Sequence, residues 1–410
     1  MREGWELKPL NEVCQIRPPK REAKEVLGEN DFVSFVPMKV LGEDEKSFNS
    51  IENKKLSEVT SSYTYFKNND VLLAKITPCF ENGKLGIAKN LTNEIGFGSS
   101  EFIVYRALDS LHPEYLYYFL SQESFRIIGK SQMTGAVGHK RIPKEFYERY
   151  KIPVPPLKEQ KQIVNTLDKA FNQIDQAKEN LEQNLHNAKE LFQSKLNEVF
   201  SQRGEGWVEK RLGDVCSVLN GYAFKSKDVI DNSNTQLLRM GNLYQNKLDL
   251  GRKPVFYPDS FADEYSDYLL KENDLIMSLT GTVDKTDYGY TVRIDSTEVN
   301  LLLNQRIMKI DVLDNNILDS RYLHSFLLSP DFLEKLYATA NGTRQANLSS
   351  RTILTLTLPM PKLEIQKSIV KELDKLNELS NNLQTHYQQK LNNLEELKKS
   401  ILQKAFRGEL

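Results

Sequence analysis

The sequence predicts an α/β fold: two globular mixed α/β domains separated by a long antiparallel intramolecular coiled coil, arranged with pseudo-two-fold symmetry. Three observations predict it. The chain repeats itself about 206 residues on. Two heptad-patterned segments each follow a proline-rich elbow. The stretches before the elbows alternate short β-rich runs with apolar helical patterns.

The repeat lies in a framework. Ile152-Pro-Val-Pro-Pro-Leu-Lys-Glu-Gln-Lys-Gln-Ile-Val164 returns as Leu358-Pro-Met-Pro-Lys-Leu-Glu-Ile-Gln-Lys-Ser-Ile-Val370. Gly4-Trp5 with Lys8, Leu10, Val13 and Cys14 returns as Gly206-Trp207 with Lys210, Leu212, Val215 and Cys216. Asn69-Asp70 returns as Asn273-Asp274, and Tyr115-Leu116 with Phe119-Leu120 as Tyr322-Leu323 with Phe326-Leu327. The unit is too long for a solenoid repeat, so each copy is a domain plus something else. The boundaries read as a globular domain over 1–156, a spacer helix over 157–203, a second domain over 204–362 and a second spacer helix over 363–410.

In the first domain, Asp70 to Ile76 and Glu101 to Arg106 read as strands, bounded by Asn, Gly and Ser. Glu114 to Ile128 reads as one helix, with Tyr115, Tyr118, Phe119 and Phe125 on its apolar side. In the second domain, Asp274 to Leu279, Gln305 to Ile310 and Ser320 to Tyr337 play the same parts, with Ser329-Pro330 breaking a helix pair. The elbow Pro153-Val-Pro-Pro156 is extended, because proline fixes φ and disfavours helix in the residue before it.

A helix then starts. Gln160, Val164, Leu167, Phe171, Ile174, Lys178, Leu181, Leu185, Ala188, Phe192, Lys195 and Val199 alternate spacings of four and three, a coiled-coil seam. The second helix carries Val370, Leu373, Leu376, Leu379, Leu383, Tyr387, Leu391, Leu394, Ile401 and Phe406. Gly204 and Gly408 stand beyond the two helix ends, where a terminating glycine belongs. Each helix buries its stripe against the other, and a two-fold axis across the pair makes them antiparallel.

Composition narrows the function. An apolar content of 39% supports real cores, and no run of 18 apolar residues exists to span a membrane. The start of the sequence lacks the apolar stretch of a signal peptide, so a cytoplasmic location is expected. Cys14 and Cys216 hold equivalent positions and read as small buried apolar residues; Cys79 stands alone. No CxxC or Cys/His cluster supports zinc or a disulfide framework. A net charge of −1 argues against a generic DNA-coating protein and leaves room for local basic surfaces.

With the elbows, the duplicated openings and the heptad helices in place, the whole chain resembles the specificity subunits of type I restriction–modification systems. The first elbow is similar to that family's I-P-[LIV]-P-P-L-x-E-Q-x-x-I segment nearly in full. The second departs from it: Lys362 stands for a proline and Ile365 for the glutamate, while Gln366 and Ile369 remain. The resemblance implies two target-recognition domains reading a bipartite, asymmetric double-stranded DNA target. It also implies a non-catalytic scaffold for two methyltransferase subunits and for restriction subunits, with S-adenosylmethionine, ATP and Mg expected only on those partners.

The motifs agree with a chain without chemistry of its own. Neither Pro-Pro pair, Arg17-Pro-Pro-Lys20 or Val154-Pro-Pro-Leu157, has the flanks of a base-gripping methyltransferase loop. Gly129-Lys130-Ser131 lacks the upstream glycine of a P-loop, and no histidine pair has metal-ligand spacing. This leaves two other classes, a complete methyltransferase or nuclease and a purely structural coiled-coil adaptor. The first lacks its motifs, and the second does not explain the β-rich domains.

The candidate DNA-binding residues lie on four polar stretches, chosen because phosphates take Lys and Arg while base edges take Arg, Lys, Asn and Gln. They are Lys75, Thr77 and Lys84 after the first strand, and Thr134, His139, Lys140 and Arg141 before the first elbow. Their counterparts are Thr280, Thr282 and Lys285, and then Thr343, Arg344 and Gln345. Both late loops begin with a glycine, Gly135 and Gly342, which suits a close backbone approach. The domains share framework but differ in these loops, so the two half-sites differ.

A helix of about 45 residues is roughly 65 Å long, well beyond the roughly 34 Å of one duplex turn. The expected target is therefore two short blocks with an unread gap set by the helices. Inserting four residues after Gln183 shifts the preferred gap and leaves both blocks unchanged; the insertion is a heptad stutter, so folding is checked first. Methylation-site mapping reads the outcome, and a folded variant that keeps the parental gap at full affinity refutes it.

Overall fold

The structure, a computed structural model, describes residues 2–410 apart from 44, 49–51, 137, 203, 297 and 343, and the backbone alone of Asp284. It divides into two compact units, Met1–Glu182 with Gln389–Leu410, and Gln183–Gln388. The divisions fall inside the two long helices, Leu157–Ser201 and Leu363–Arg407. Each unit thus contains a globular part, one end of the first helix and one end of the second.

In the first unit a five-stranded sheet orders Cys14–Ile16, Phe102–Ala107, Val71–Ala74, Leu85–Ala88 and Ser47–Phe48. A second sheet orders Glu52–Lys55, Phe32–Val36, Ile95–Gly98 and Thr64–Lys67. The second unit has a corresponding pair of sheets. One orders Cys216–Asn220, Ile307–Val312, Leu275–Ser278 and Thr291–Arg293; the other orders Phe256–Tyr257, Thr235–Leu238, Asn300–Leu303 and Leu269–Leu270. The central strands Val71–Ala74 and Leu275–Ser278 are buried throughout, and both are apolar apart from Ser278.

The duplicated motifs now have structural reasons. Asn69 and Asn273 take φ of 71° and 72°, the left-handed conformation that asparagine tolerates. The carboxylate that follows closes the turn, Asp70 accepting from Lys67 N at 2.7 Å and Asp274 from Lys271 N at 2.8 Å. The residues after each Gly-Trp form a strand that pairs antiparallel with the elbow: Leu7 opposes Pro153, and Glu209 opposes Pro359. Cys14 and Cys216 are buried in the two cores, and burial pushes the Cys216 thiol up to about 12. Gly408 ends its helix in the left-handed region at φ 76°, whereas Gly204 has no such φ and stands three residues past Ser201.

The elbows are held by two buried glutamines. Gln160 Nε2 donates to Ser110 O at 2.9 Å and Pro155 O at 2.8 Å, and its Oε1 accepts from His112 N at 2.7 Å. Gln366 repeats the set: Nε2 to Ile317 O at 3.0 Å and Pro361 O at 2.8 Å, with Oε1 accepting from Asp319 N at 2.9 Å. A tyrosine supports each elbow, Tyr115 donating to Pro153 O at 2.8 Å and Tyr322 to Pro359 O at 2.7 Å. Gln160, expected in the helix seam, is instead this clamp.

Two other expectations are corrected. The helix expected over 114–128 is two, Pro113–Leu120 and Glu123–Ser131, broken where Gln122 turns extended and bonds back to Phe119 O at 3.1 Å. The second unit is broken likewise into Ser320–Leu327 and Pro330–Ala338, with Ser329 Oγ accepting from Phe332 N. The strict heptad seam also drifts. Leu196, Phe200 and Ser380 are buried, whereas Lys195 and Val199 are half-buried and Leu379 is exposed. A straight helix advances about 20° per heptad against a 3.5-residue repeat, so the buried stripe moves along the surface.

Within each unit the helix segments run antiparallel. In the first, Lys178 pairs with Glu395 at 2.7 Å and Lys398 with Asp175 at 3.2 Å. In the second, Lys195 pairs with Glu372 at 3.1 Å and Ser380 Oγ donates to Ala188 O at 2.6 Å. The end of one repeat's helix plugs the other repeat's globular core. Phe406 packs on Tyr115 and Phe119 with centroids at 4.9 and 5.3 Å, and Phe200 on Tyr322 and Phe326 at 5.4 Å each. Truncating such a ring costs about 3–5 kcal/mol.

The glutamine clamp yields a stability prediction. Gln366→Leu strands two carbonyls and one N–H in a buried site, each worth about 1–3 kcal/mol if left unmet. The expected loss is at least about 3 kcal/mol, read as a lower urea midpoint. Gln183→Ala, at an exposed helix position, stays within about 0.5 kcal/mol. Equal midpoints for the two variants exclude the clamp as a structural keystone.

Candidate nucleic-acid interface

In both units the segment after the central strand meets the late loop and pairs with it. In the first, Thr134 and Arg141 close a hairpin by exchanging backbone bonds of 3.0 and 2.9 Å. Arg141 also bridges to Ile76, and Thr77 N donates to Lys140 O at 2.9 Å. In the second, Asn341 and Asn347 close the hairpin, and Thr280–Thr282 pairs with Gln345–Asn347, Thr282 opposing Gln345. Two stretches far apart in sequence thus become one two-stranded platform in each unit.

The glycines explain the hairpins. Gly135 and Gly342 share a φ of 123°, a region almost closed to residues with a side chain. A Cβ on Gly342 would stand 2.0 Å from Gln345 O, and one on Gly135 would stand 3.0 Å from His139 O. The backbone is therefore folded against itself at the base of each exposed tip.

The candidate side chains fall into groups. His139, Lys140 and Arg141 are exposed on the first hairpin, as is Thr134 at its base. Arg141 is held by a bidentate ion pair to Glu101 at 2.7 and 2.9 Å. Lys75 lies beside it, 3.7 Å from Glu101, and donates to Ser100 O at 2.9 Å. Burial, aided by Arg17, lowers the Lys75 amine from its ordinary value, while the bond to Arg141 lowers the Glu101 carboxyl. Thr77 Oγ1 is 3.3 Å from Lys140 O and so braces the hairpin. Lys84 is elsewhere employed: its amine donates to Met38 O and Leu41 O at 3.3 and 3.0 Å, fastening that loop.

In the second unit Thr280 is turned inward, its hydroxyl 3.1 Å from Met240 Sδ. Thr282 is exposed and bound to Asp287 through both its N–H and its hydroxyl. Lys285, Arg344 and Gln345 are exposed, and Arg344 has no ion-pair partner among the described residues. Thr343 lies outside the described residues.

Sequence reading overlooked Glu101 and Arg306. Lys75 N donates to Glu101 O at 3.0 Å, and Leu279 N donates to Arg306 O at 2.9 Å. The frameworks match there: Ile142 N bonds Lys75 O as Leu348 N bonds Leu279 O. One framework position is thus an anion in the first unit and a cation in the second. No motif marks it, because the position is defined by a backbone bond between distant segments. Among the described residues no group of three or more His, Cys, Asp or Glu is arranged to hold a metal, and no helix is long and apolar enough to cross a membrane.

Comparison with known proteins agrees with this architecture. The family model for the type I restriction modification DNA specificity domain matches twice, over residues 2–186 and 204–393. The EcoAI type I restriction enzyme specificity subunit of Escherichia coli is 26% identical, over 93% of this chain and 79% of that one. The EcoEI specificity subunit, also of Escherichia coli, is 40% identical over 175 residues, which are 42% of this chain and 29% of that relative. Among solved structures, a chain from a study of complex assembly and conformational transition of the type I R-M system superposes with a TM-score of 0.78 at 20% identity. That superposition covers 100% of this chain and 99% of the other. The HsdS subunit from Thermoanaerobacter tengcongensis gives 0.64 at 19% identity, covering 100% and 98%.

The hairpin geometry makes a graded prediction. Gly342→Ala meets a carbonyl oxygen as well as an unfavourable φ and destabilises by about 2–4 kcal/mol; Gly135→Ala, with more room, costs about 1–2 kcal/mol. Chemical denaturation of both variants ranks them. A milder effect at Gly342 than at Gly135 contradicts the tighter turn.

Proposed function

The chain belongs to the family of the type I restriction modification DNA specificity domain, matched in both halves, and from that premise we propose that it is the DNA-reading subunit of a type I restriction–modification complex. It reads a bipartite, asymmetric duplex target, one block per globular part. The observation that carries this reading is the duplicated platform, a glycine-based hairpin paired to the segment after the central strand. It presents Lys140 and Arg141 in one unit and Arg344 and Gln345 in the other. Guanidinium, amine and amide groups on a rigid ladder suit base edges in the major groove.

Lys75 and Thr77 act in this proposal mainly by holding the first platform, and Lys84 by fastening the loop at Met38 and Leu41. His139, Lys140 and Arg141 reach toward DNA, as do Thr282, Lys285, Arg344 and Gln345 in the second. The bidentate pair with Glu101 keeps Arg141 pre-oriented. The chain performs no chemistry itself; S-adenosylmethionine, ATP and Mg act on the partner subunits, in the cytoplasm. Two methyltransferase subunits fit a chain with two equivalent elbows, and restriction subunits complete the assembly.

Reconstitution with the cognate methyltransferase subunit tests this. The chain alone transfers no labelled methyl groups, and the complex methylates one bipartite sequence. Arg344→Ala with Gln345→Ala changes one block, while Lys140→Ala with Arg141→Ala affects the other. A lost base-edge contact costs about 1–3 kcal/mol and relaxes that position alone. Unchanged sequence and affinity in both variants removes the hairpins from the reading surface.

A further inference from the structure

The second unit has a cleft of about 720 Å³ whose lining includes Arg239, Arg252, Lys253 and Arg306, with Asn304 and Gln305, and no Asp or Glu. Its position follows from the sheet. Thr235–Leu238 and Asn300–Leu303 are parallel neighbours, Leu238 opposite Leu303. Both strands therefore release their next residues, Arg239 and Asn304 to Arg306, at the same edge. Phe256–Tyr257 pairs with Thr235–Leu238 on its other side and brings the preceding loop, with Arg252 and Lys253, to that edge.

None of the four cations takes part in an ion pair among the described residues, although the chain as a whole carries 56 carboxylate side chains for 55 Lys and Arg. The guanidiniums are restrained without being neutralised. Arg239 Nη2 donates to Lys253 O, and Arg252 lies over the Tyr244 ring at 4.6 Å. Four like charges at one cleft repel one another, a cost that an anion removes. Planar guanidiniums match the oxygens of a phosphate.

The cleft adjoins the reading platform. Arg306 O accepts from Leu279 N, next to Thr280, and Met240, which lines the cleft, accepts from Thr280 Oγ1. The first unit has Glu101 where Arg306 stands, a carboxylate that repels phosphate and holds Arg141 and Lys75 instead.

Resting on the DNA-reading proposal above, we infer that this cleft grips the DNA backbone: Arg239, Arg252, Lys253 and Arg306 bind phosphates flanking the block that the second unit reads. The two readers then differ in kind. The first aligns its cations internally, and the second supplies most of the sequence-independent grip.

The test uses the reconstituted complex with the methyltransferase subunit, measuring affinity for target duplex across salt concentrations. Arg252, Lys253 and Arg306 are exposed, so Arg252→Gln, Lys253→Gln and Arg306→Gln together leave the fold intact, as circular dichroism checks. Each lost phosphate contact makes the log–log salt slope shallower by about 0.9, so the triple variant should lose about 2 to 3. The methylated sequence of both blocks stays the same. Arg306→Lys keeps a charge for a phosphate but loses the fork needed for guanine, so it should keep both slope and sequence. A triple variant with the parental slope overturns the inference, as does an Arg306→Lys complex that methylates an altered second block. A parent complex without salt-dependent binding overturns the DNA-reading proposal and this inference together; parental binding with an unaltered variant slope overturns this inference alone.

Discussion

One side-chain amide at each elbow ties together three segments that are remote in function. Gln160 reaches the carbonyl of Pro155 in the elbow, and the carbonyl of Ser110 and the N–H of His112 in the turn before the apolar helices. Gln366 does the same at Pro361, Ile317 and Asp319. A buried amide with its donors and acceptor met is directional in a way that apolar packing is not. It fixes how the long helix leaves the globular part, and the placement of the hairpins on that globular part inherits the constraint. The elbow prolines remove backbone donors and so leave carbonyls seeking a partner, which the glutamine supplies.

The second constraint is the exchange of helix ends. Phe406 completes the aromatic core of the first unit, and Phe200 that of the second. Neither globular core is whole without a ring delivered from the other repeat. Ion pairs such as Lys178 with Glu395 add register but, being exposed, contribute at most about 1 kcal/mol each. The energy lies in the buried rings, and the charges choose among alignments.

On this common frame the two platforms have diverged in electrostatics. Where the first unit places Glu101 and locks Arg141 into a bidentate pair, the second places Arg306 and leaves its cleft without a carboxylate. Their equivalence appears in the backbone, where Lys75 and Leu279 bond to the residues in question. A near-neutral chain can therefore carry a cationic local surface, because no carboxylate lines this cleft although the second globular part holds many elsewhere.

How much of this was legible beforehand depended on the range of the interaction. The repeat, the elbows, the two long helices and the glycines of the two late loops are local patterns, and local sterics and periodicity suffice to reveal them. Gly135 and Gly342 could be singled out because only glycine tolerates their backbone. The heptad pattern misled at Gln160, Lys195 and Leu379, because tertiary contacts and helical drift decide which face is buried. The roles of Lys84 and Thr280, fastened inward to Met38, Leu41 and Met240, depend on neighbours some 40 residues away in the chain. The cationic cleft and the Glu101–Arg306 exchange belong to the tertiary structure alone. Strand pairing, parallel on one side of Thr235–Leu238 and antiparallel on the other, gathers charges from three loops onto one sheet edge, and nothing in the linear order of Arg239, Arg252, Lys253 and Arg306 announces that meeting.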